Sequence, residues 1–135
     1  MLTKRYADMC REATQIQNLK RDQYSYVKIM NRGDWYYMDG EFRLETNDNS
    51  LRPMEAVWLP LQHQLQEIAD TPILLMISRF NQFCNQLYES NESTWDWKME
   101  ELQIQFLMKR KYEKVWIDNT WKMIPKLNRA RSSNE

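Results

Sequence analysis

Asp39-Gly40 is the most constraining dipeptide in this chain, because it sits between two short runs of strand-forming residues. Trp35-Tyr36-Tyr37-Met38 precedes it and Glu41-Phe42-Arg43-Leu44-Glu45 follows it. A two-residue loop needs positive φ at both positions, and Asp followed by Gly supplies it at little cost, so the segment predicts a β-hairpin. The chain has only two glycines in 135 residues. So few argue against an all-β barrel with many tight turns, and against a glycine-rich phosphate loop.

The flanking sequence extends the pattern. Tyr24-Ser25-Tyr26-Val27-Lys28-Ile29-Met30 alternates, is rich in β-formers and is followed by the turn Asn31-Arg32-Gly33-Asp34, so an antiparallel three-strand meander is expected over residues 24–45. Before it, Leu2, Tyr6, Met9, Ala13 and Ile16 fall on one helical face, with Thr3 as the candidate N-cap. After the polar loop 46–53, Trp58-Leu59-Pro60 is expected to open a short helix with Leu61, Leu65 and Ile68 inside. Thr71 should cap the next helix, Ile73 to about Ser90, whose stripe Ile73, Ile77, Phe80, Cys84 and Leu87 marks it as the core helix. Ser93 and Asp96 resemble a capping box. A last long helix, from about Trp95 to Val115, is apolar on two faces: Trp95, Met99, Leu102 and Phe106 on one, Trp97, Ile104 and Met108 on the other. Val115-Trp116 and Trp121 around Asp118-Asn119 predict a second, C-terminal hairpin. The fold class is therefore α+β: an N-terminal helix, a three-strand meander, three helices and a short hairpin. Residues 1–127 are read as one domain and residues 128–135 as a polar tail.

Lysines and arginines balance aspartates and glutamates at nineteen each, so no global charge draws the chain to nucleic acid or to a membrane surface. The longest apolar run, Ile73–Ile77, is far too short to span a bilayer. The N-terminal residues lack the apolar core of a signal peptide, and Cys10 and Cys84 read as free thiols. A cytoplasmic location is expected.

Three segments carry a family likeness. Trp58-Leu59-Pro60-Leu61-Gln62-His63-Gln64-Leu65-Gln66-Glu67-Ile68 resembles a segment of small uncharacterised phage and prophage proteins of Gram-positive bacteria. Lys111-Tyr112-Glu113-Lys114-Val115-Trp116, with Asp118 and Trp121, resembles their close, and the Trp35–Leu44 hairpin has a counterpart there. Leu61 and His63 stand where that segment usually has Arg and Asp, and Asn119 replaces a usual Gly. The likeness implies a mobile genetic element, and through it a bacterial host cytoplasm, but no particular chemistry.

The residues themselves offer little catalysis. His63, the sole histidine, has Glu67 one helical turn away, a common surface pairing. One His and two separated Cys do not make a zinc set. Asp34, Asp39, Glu41, Glu45 and Asp48 could gather round a divalent ion, yet turn roles account for them better. No metal or cofactor is expected, and the chain is read as a non-enzyme. Two binding surfaces remain. The first is the surplus of aromatics, Trp35, Tyr37, Phe42, Trp116 and Trp121; six Trp exceed what a core of this size needs, and exposed rings are typical binding anchors. The second is the basic run Lys109, Arg110, Lys111 and Lys114, continued by Lys122, Lys126, Arg129 and Arg131 and interleaved with Trp116 and Trp121. Cations beside stacking rings suit single-stranded nucleic acid or a nucleotide. The primary expectation is a non-enzymatic phage or prophage accessory protein that binds a host or phage macromolecule, a host defence or regulatory protein being one concrete form. The alternative is a nucleic-acid or nucleotide binder using the basic C-terminal segment. If the second apolar face of the last helix, Trp97, Ile104 and Met108, lacks cover within the chain, a symmetric homodimer through it is expected.

Overall fold

A computed structural model describes residues 2–23, 33–45, 52, 55–90 and 96–124. The fold is α+β, with a three-stranded antiparallel sheet and a separate two-stranded hairpin among the described residues. The chain divides into two compact units, Leu2–Leu61 and Gln62–Glu135.

In the first unit, α1 (Lys4–Glu12) starts where the sequence predicts, with the Tyr6 amide donating to Thr3 Oγ1 at 3.0 Å. Its inner face buries Tyr6, Met9 and Cys10 completely. The expected single N-terminal helix is in fact two. The ladder breaks at Ala13, where ψ of 71° departs from helical geometry, and α2 (Thr14–Gln23) resumes at once. No glycine or proline announces this break; Ala13 and Ile16 are both fully buried, so packing sets it.

β1 (Trp35–Met38) and β2 (Glu41–Leu44) form the predicted hairpin, with Tyr37 opposite Phe42 and Trp35 opposite Leu44. Asp39 and Gly40 take φ of 56° and 78°, as this turn demands. The third strand described, β3 (Val57–Leu59), pairs with β1, giving the order β2-β1-β3. This corrects the helix expected at Trp58-Leu59-Pro60. The reason is distant in sequence: the Gln17 side-chain amide, projecting from α2, donates to the Trp58 carbonyl at 2.8 Å and accepts from the Trp58 amide at 2.9 Å. Gln17 thus supplies the bonds that a neighbouring strand would supply. The Tyr6 hydroxyl adds a bond to the Pro60 carbonyl at 2.6 Å. Close by, Lys20 and Asp34 form a buried ion pair at 2.5 Å, and the Lys20 ammonium lies 4.9 Å from the Trp58 ring centroid. The strand expected over 24–30 lies outside the described residues.

The second unit holds α3 (Gln62–Ala69), α4 (Ile73–Ser90), α5 (Met99–Tyr112), β4 (Lys114–Ile117) and β5 (Thr120–Met123). Thr71 does not cap α4; its hydroxyl donates back to the Ala69 carbonyl at 3.0 Å. Met76 and Phe83 of α4 pack on Phe106 of α5, with the Phe80 and Phe83 rings edge-on to Phe106 at 5.5 and 5.7 Å. The helix α5 begins at Met99, inside the expected boundary, where the Glu101 carboxylate accepts from the Lys98 amide at 2.9 Å. The Ser93 cap falls outside the described residues. Ile104 and Met108 are fully buried, and Trp97 is half-buried, so the second apolar face of α5 has its cover within the chain. Glu113, left-handed at φ 56°, ends α5, and the predicted C-terminal hairpin follows with Asp118 and Asn119 at φ of 53° and 62°. No helix among the described residues is long and apolar enough to cross a membrane.

Candidate functional site

Strand alternation sorts the three-stranded sheet into two faces. Trp35 and Tyr37 share one face with their β2 partners Leu44 and Phe42, and with Leu59 and Val57 of β3. Cover on this apolar face fades across the sheet. Leu59 is fully buried, Tyr37 nearly so and Trp35 half-buried, whereas Phe42 and Leu44 on β2 are 38% and 45% exposed. The Phe42 ring meets Tyr37 edge-on at 5.1 Å, so the exposed ring is held by a buried one.

Charges rim this open face. On the α1 side, Lys4 and Arg11 each lie 5.8 Å from the Tyr37 ring centroid, with Asp8 between them accepting from both, at 3.0 and 3.1 Å. On the turn side, Arg52 donates to Asp39 at 2.7 Å and also to Glu55, whereas Arg43 and Glu41, paired at 3.3 Å, lie on the opposite face of β2. The hydrogen bond that Arg52 donates to Asp39, then the one it donates to Glu55, holds its guanidinium above the ordinary pKa. Both signs are represented and mutually paired. An apolar centre inside a polar rim is the usual anatomy of a protein-contact surface.

Of the aromatics singled out from sequence, Trp35, Tyr37 and Phe42 therefore share one face. Leu44 completes it, and sequence reasoning missed it as a site residue, although its i, i+2 relation to Phe42 was readable. Trp116 and Trp121 are cross-strand partners on β4 and β5, 4.9 Å apart, with Trp121 buried; they belong to the other unit.

The described members of the basic segment have separate surroundings. Lys109, Arg110 and Lys111 are consecutive on α5 and point about 100° apart. Lys109 lies 5.8 Å from the Phe83 ring centroid, and Lys111 donates to the Ile68 carbonyl at 2.9 Å. Arg110 is exposed, Lys114 is half-buried, and Lys122 pairs with Asp118 at 3.5 Å. Lys126, Arg129 and Arg131 lie outside the described residues.

Of the candidate acids, Asp48 lies outside the described residues. Asp34 pairs with buried Lys20, Asp39 occupies the turn, and no group of three or more His, Cys, Asp or Glu among the described residues could hold a metal ion. His63 is exposed on α3. Burial raises the pKa of both thiols, Cys10 well beyond its ordinary range and Cys84 less, which disfavours thiolate chemistry at either. Burial also raises the Tyr112 phenol.

Fold and surface thus define a small α+β protein with an open aromatic sheet face. No family model matches the chain, and no curated protein or solved structure matches it either.

Proposed function

We propose that this chain is a non-enzymatic phage or prophage accessory protein that binds a host or phage macromolecule, with the Phe42/Leu44 face of the sheet as its contact surface. One observation carries the reading: a continuous apolar face runs from buried Leu59 to exposed Phe42 and Leu44, with no covering element at the β2 end among the described residues. Exposed apolar surface beside paired charges favours a protein partner over a polyanion. The mobile-element origin rests on the resemblance of the Trp58–Ile68 and Lys111–Trp121 segments, and makes a protein of a bacterial host cytoplasm, such as a defence or regulatory factor, the first partner to seek.

Capture from nuclease-treated bacterial lysate tests this, with wild type and Leu44→Glu as parallel baits. Leu44 is exposed, so the variant keeps its fold, checked by circular dichroism. A partner retained by wild type and lost by Leu44→Glu is the expected result; equal retention by both refutes the assigned surface. Titration with labelled single-stranded DNA and RNA at two salt concentrations supplies the opposite outcome. Binding that weakens steeply with salt and on Lys111→Ala would move the site to α5.

A further inference from the structure

The two edges of the three-stranded sheet are finished differently. Main-chain groups in an antiparallel ladder point alternately toward and away from the neighbouring strand. The Glu45 amide donates to the Asp34 carbonyl at 2.8 Å, which fixes the phase of the β1–β2 ladder. Glu41 and Arg43 therefore bond to β1, while the N–H and C=O of Phe42 and Leu44 point outward. At the opposite edge the outward residue is Trp58 of β3, and Gln17 bonds to both of its main-chain groups. Nothing comparable serves β2: among the described residues, no group bonds to the outward N–H or C=O of Phe42 or Leu44. The phase also ties backbone to side chain. The residues with open main-chain groups are the two whose side chains, Phe42 and Leu44, form the exposed end of the apolar face.

We infer that β2 receives an extended segment of a partner protein as an added antiparallel strand, an inference that rests on the Phe42/Leu44 face being the contact surface. A helix or a folded surface laid on that face would cover the side chains and leave the main-chain groups beside them to water. An extended chain satisfies both at once. In an antiparallel pair, residues that exchange both bonds stand directly opposite, with their side chains on the same face. The partner residues bonded to Phe42 and Leu44 thus set their own side chains, two positions apart, beside that ring and that leucine, so apolar residues belong there. The intervening partner side chains fall on the other face, beside the Arg43–Glu41 pair, where polar residues belong. Both pairings already present in this sheet are antiparallel, and the added strand extends the order β2-β1-β3 at its open end.

The probe is an acetylated, amidated peptide of alternating valine and threonine with a lysine at each end, titrated to a few millimolar into the nitrogen-15-labelled full chain. The Phe42 and Leu44 amide signals should shift, and their exchange with solvent should slow about tenfold or more at saturation. N-methylation of the valines, whose amides face β2, should weaken binding about tenfold or more; N-methylation of the threonines, whose amides face away, should change it by less than about twofold. Leu44→Pro removes one outward N–H and keeps an apolar side chain, and proline is tolerated at an edge position of this kind. With its fold checked by circular dichroism, it should weaken peptide binding about as much as valine methylation does. Absence of shifts at Phe42 and Leu44, or a valine-methylated peptide that binds like the unmodified one, overturns the inference, and neither result depends on a variant. A captured partner lost by Leu44→Glu but held by Leu44→Pro overturns it too, while leaving the face as the contact surface. If Leu44→Glu retains every captured partner and the peptide still binds as described, the contact-surface reading fails and the edge still takes a strand.

Discussion

Replacing Gln17 with alanine should loosen the three-stranded sheet far more than one surface-helix glutamine would suggest. Gln17 is nearly buried, and its amide satisfies both backbone groups of Trp58, at 2.8 and 2.9 Å. Gln17→Ala removes both bonds and leaves a buried donor and a buried acceptor on β3. At about 1–3 kcal/mol for each unsatisfied group, discounted because water can reach part of the vacated space, the loss is about 2–4 kcal/mol. At 1.36 kcal/mol per decade, that speeds amide exchange by about 30- to 900-fold for protons protected by opening of the sheet. The assay is hydrogen exchange read by mass spectrometry on peptides covering β1 and β3, with peptides from α5 as an internal reference. Gln17→Glu sharpens the test: the carboxylate still accepts from the Trp58 amide but sets an oxygen against the Trp58 carbonyl, so it should fall at least as far as alanine. If β1 and β3 in Gln17→Ala keep their protection within threefold of wild type, β3 is held by its pairing with β1 alone, and the role given to Gln17 is wrong.

Three further outcomes follow from the same contacts. Lys20→Met removes the buried ammonium that pairs with Asp34 and should destabilise the first unit by about 3–5 kcal/mol, with most of the loss recovered in Lys20→Met/Asp34→Asn; urea unfolding of the single and double variants measures this. Phe106→Ala removes the ring on which Phe80 and Phe83 pack and should cost about 3–5 kcal/mol, seen as faster exchange along α4. Cys10 should resist alkylation in the native state while half-buried Cys84 reacts slowly, and unfolding should expose both. Because burial raises the folded-state pKa of Cys10 above the ordinary 9.0, the folded state holds that proton more tightly. The resulting stability is intact below pH 9 and declines as the pH rises above it, by at most about 1.4 kcal/mol per pH unit, and Cys10→Ala should lack this contribution.

Both hairpins were legible because their signals are local. Asp39-Gly40 and Asp118-Asn119 can take left-handed φ within two residues, and the apolar residues on either side fix the register. Thr3 as N-cap is local in the same sense. Trp35, Tyr37 and Phe42 could be placed on one strand face from alternation alone. What alternation could not give was their cover: Tyr37 is buried under α1 side chains, whereas Phe42 and the unflagged Leu44 stand open.

By itself, then, the sequence determined the α+β class, the two turns and the existence of amphipathic helices, since each depends on backbone preferences over a few neighbouring residues. Tertiary structure alone decided that Val57–Leu59 is a strand, because the group that completes its edge, Gln17, is forty-one residues away from Trp58. It also decided where the N-terminal helix breaks, and which half of the apolar α4 stripe is covered. Periodicity states which side chains share a face; only packing states what lies against that face, and on α4 and β2 the answer is solvent.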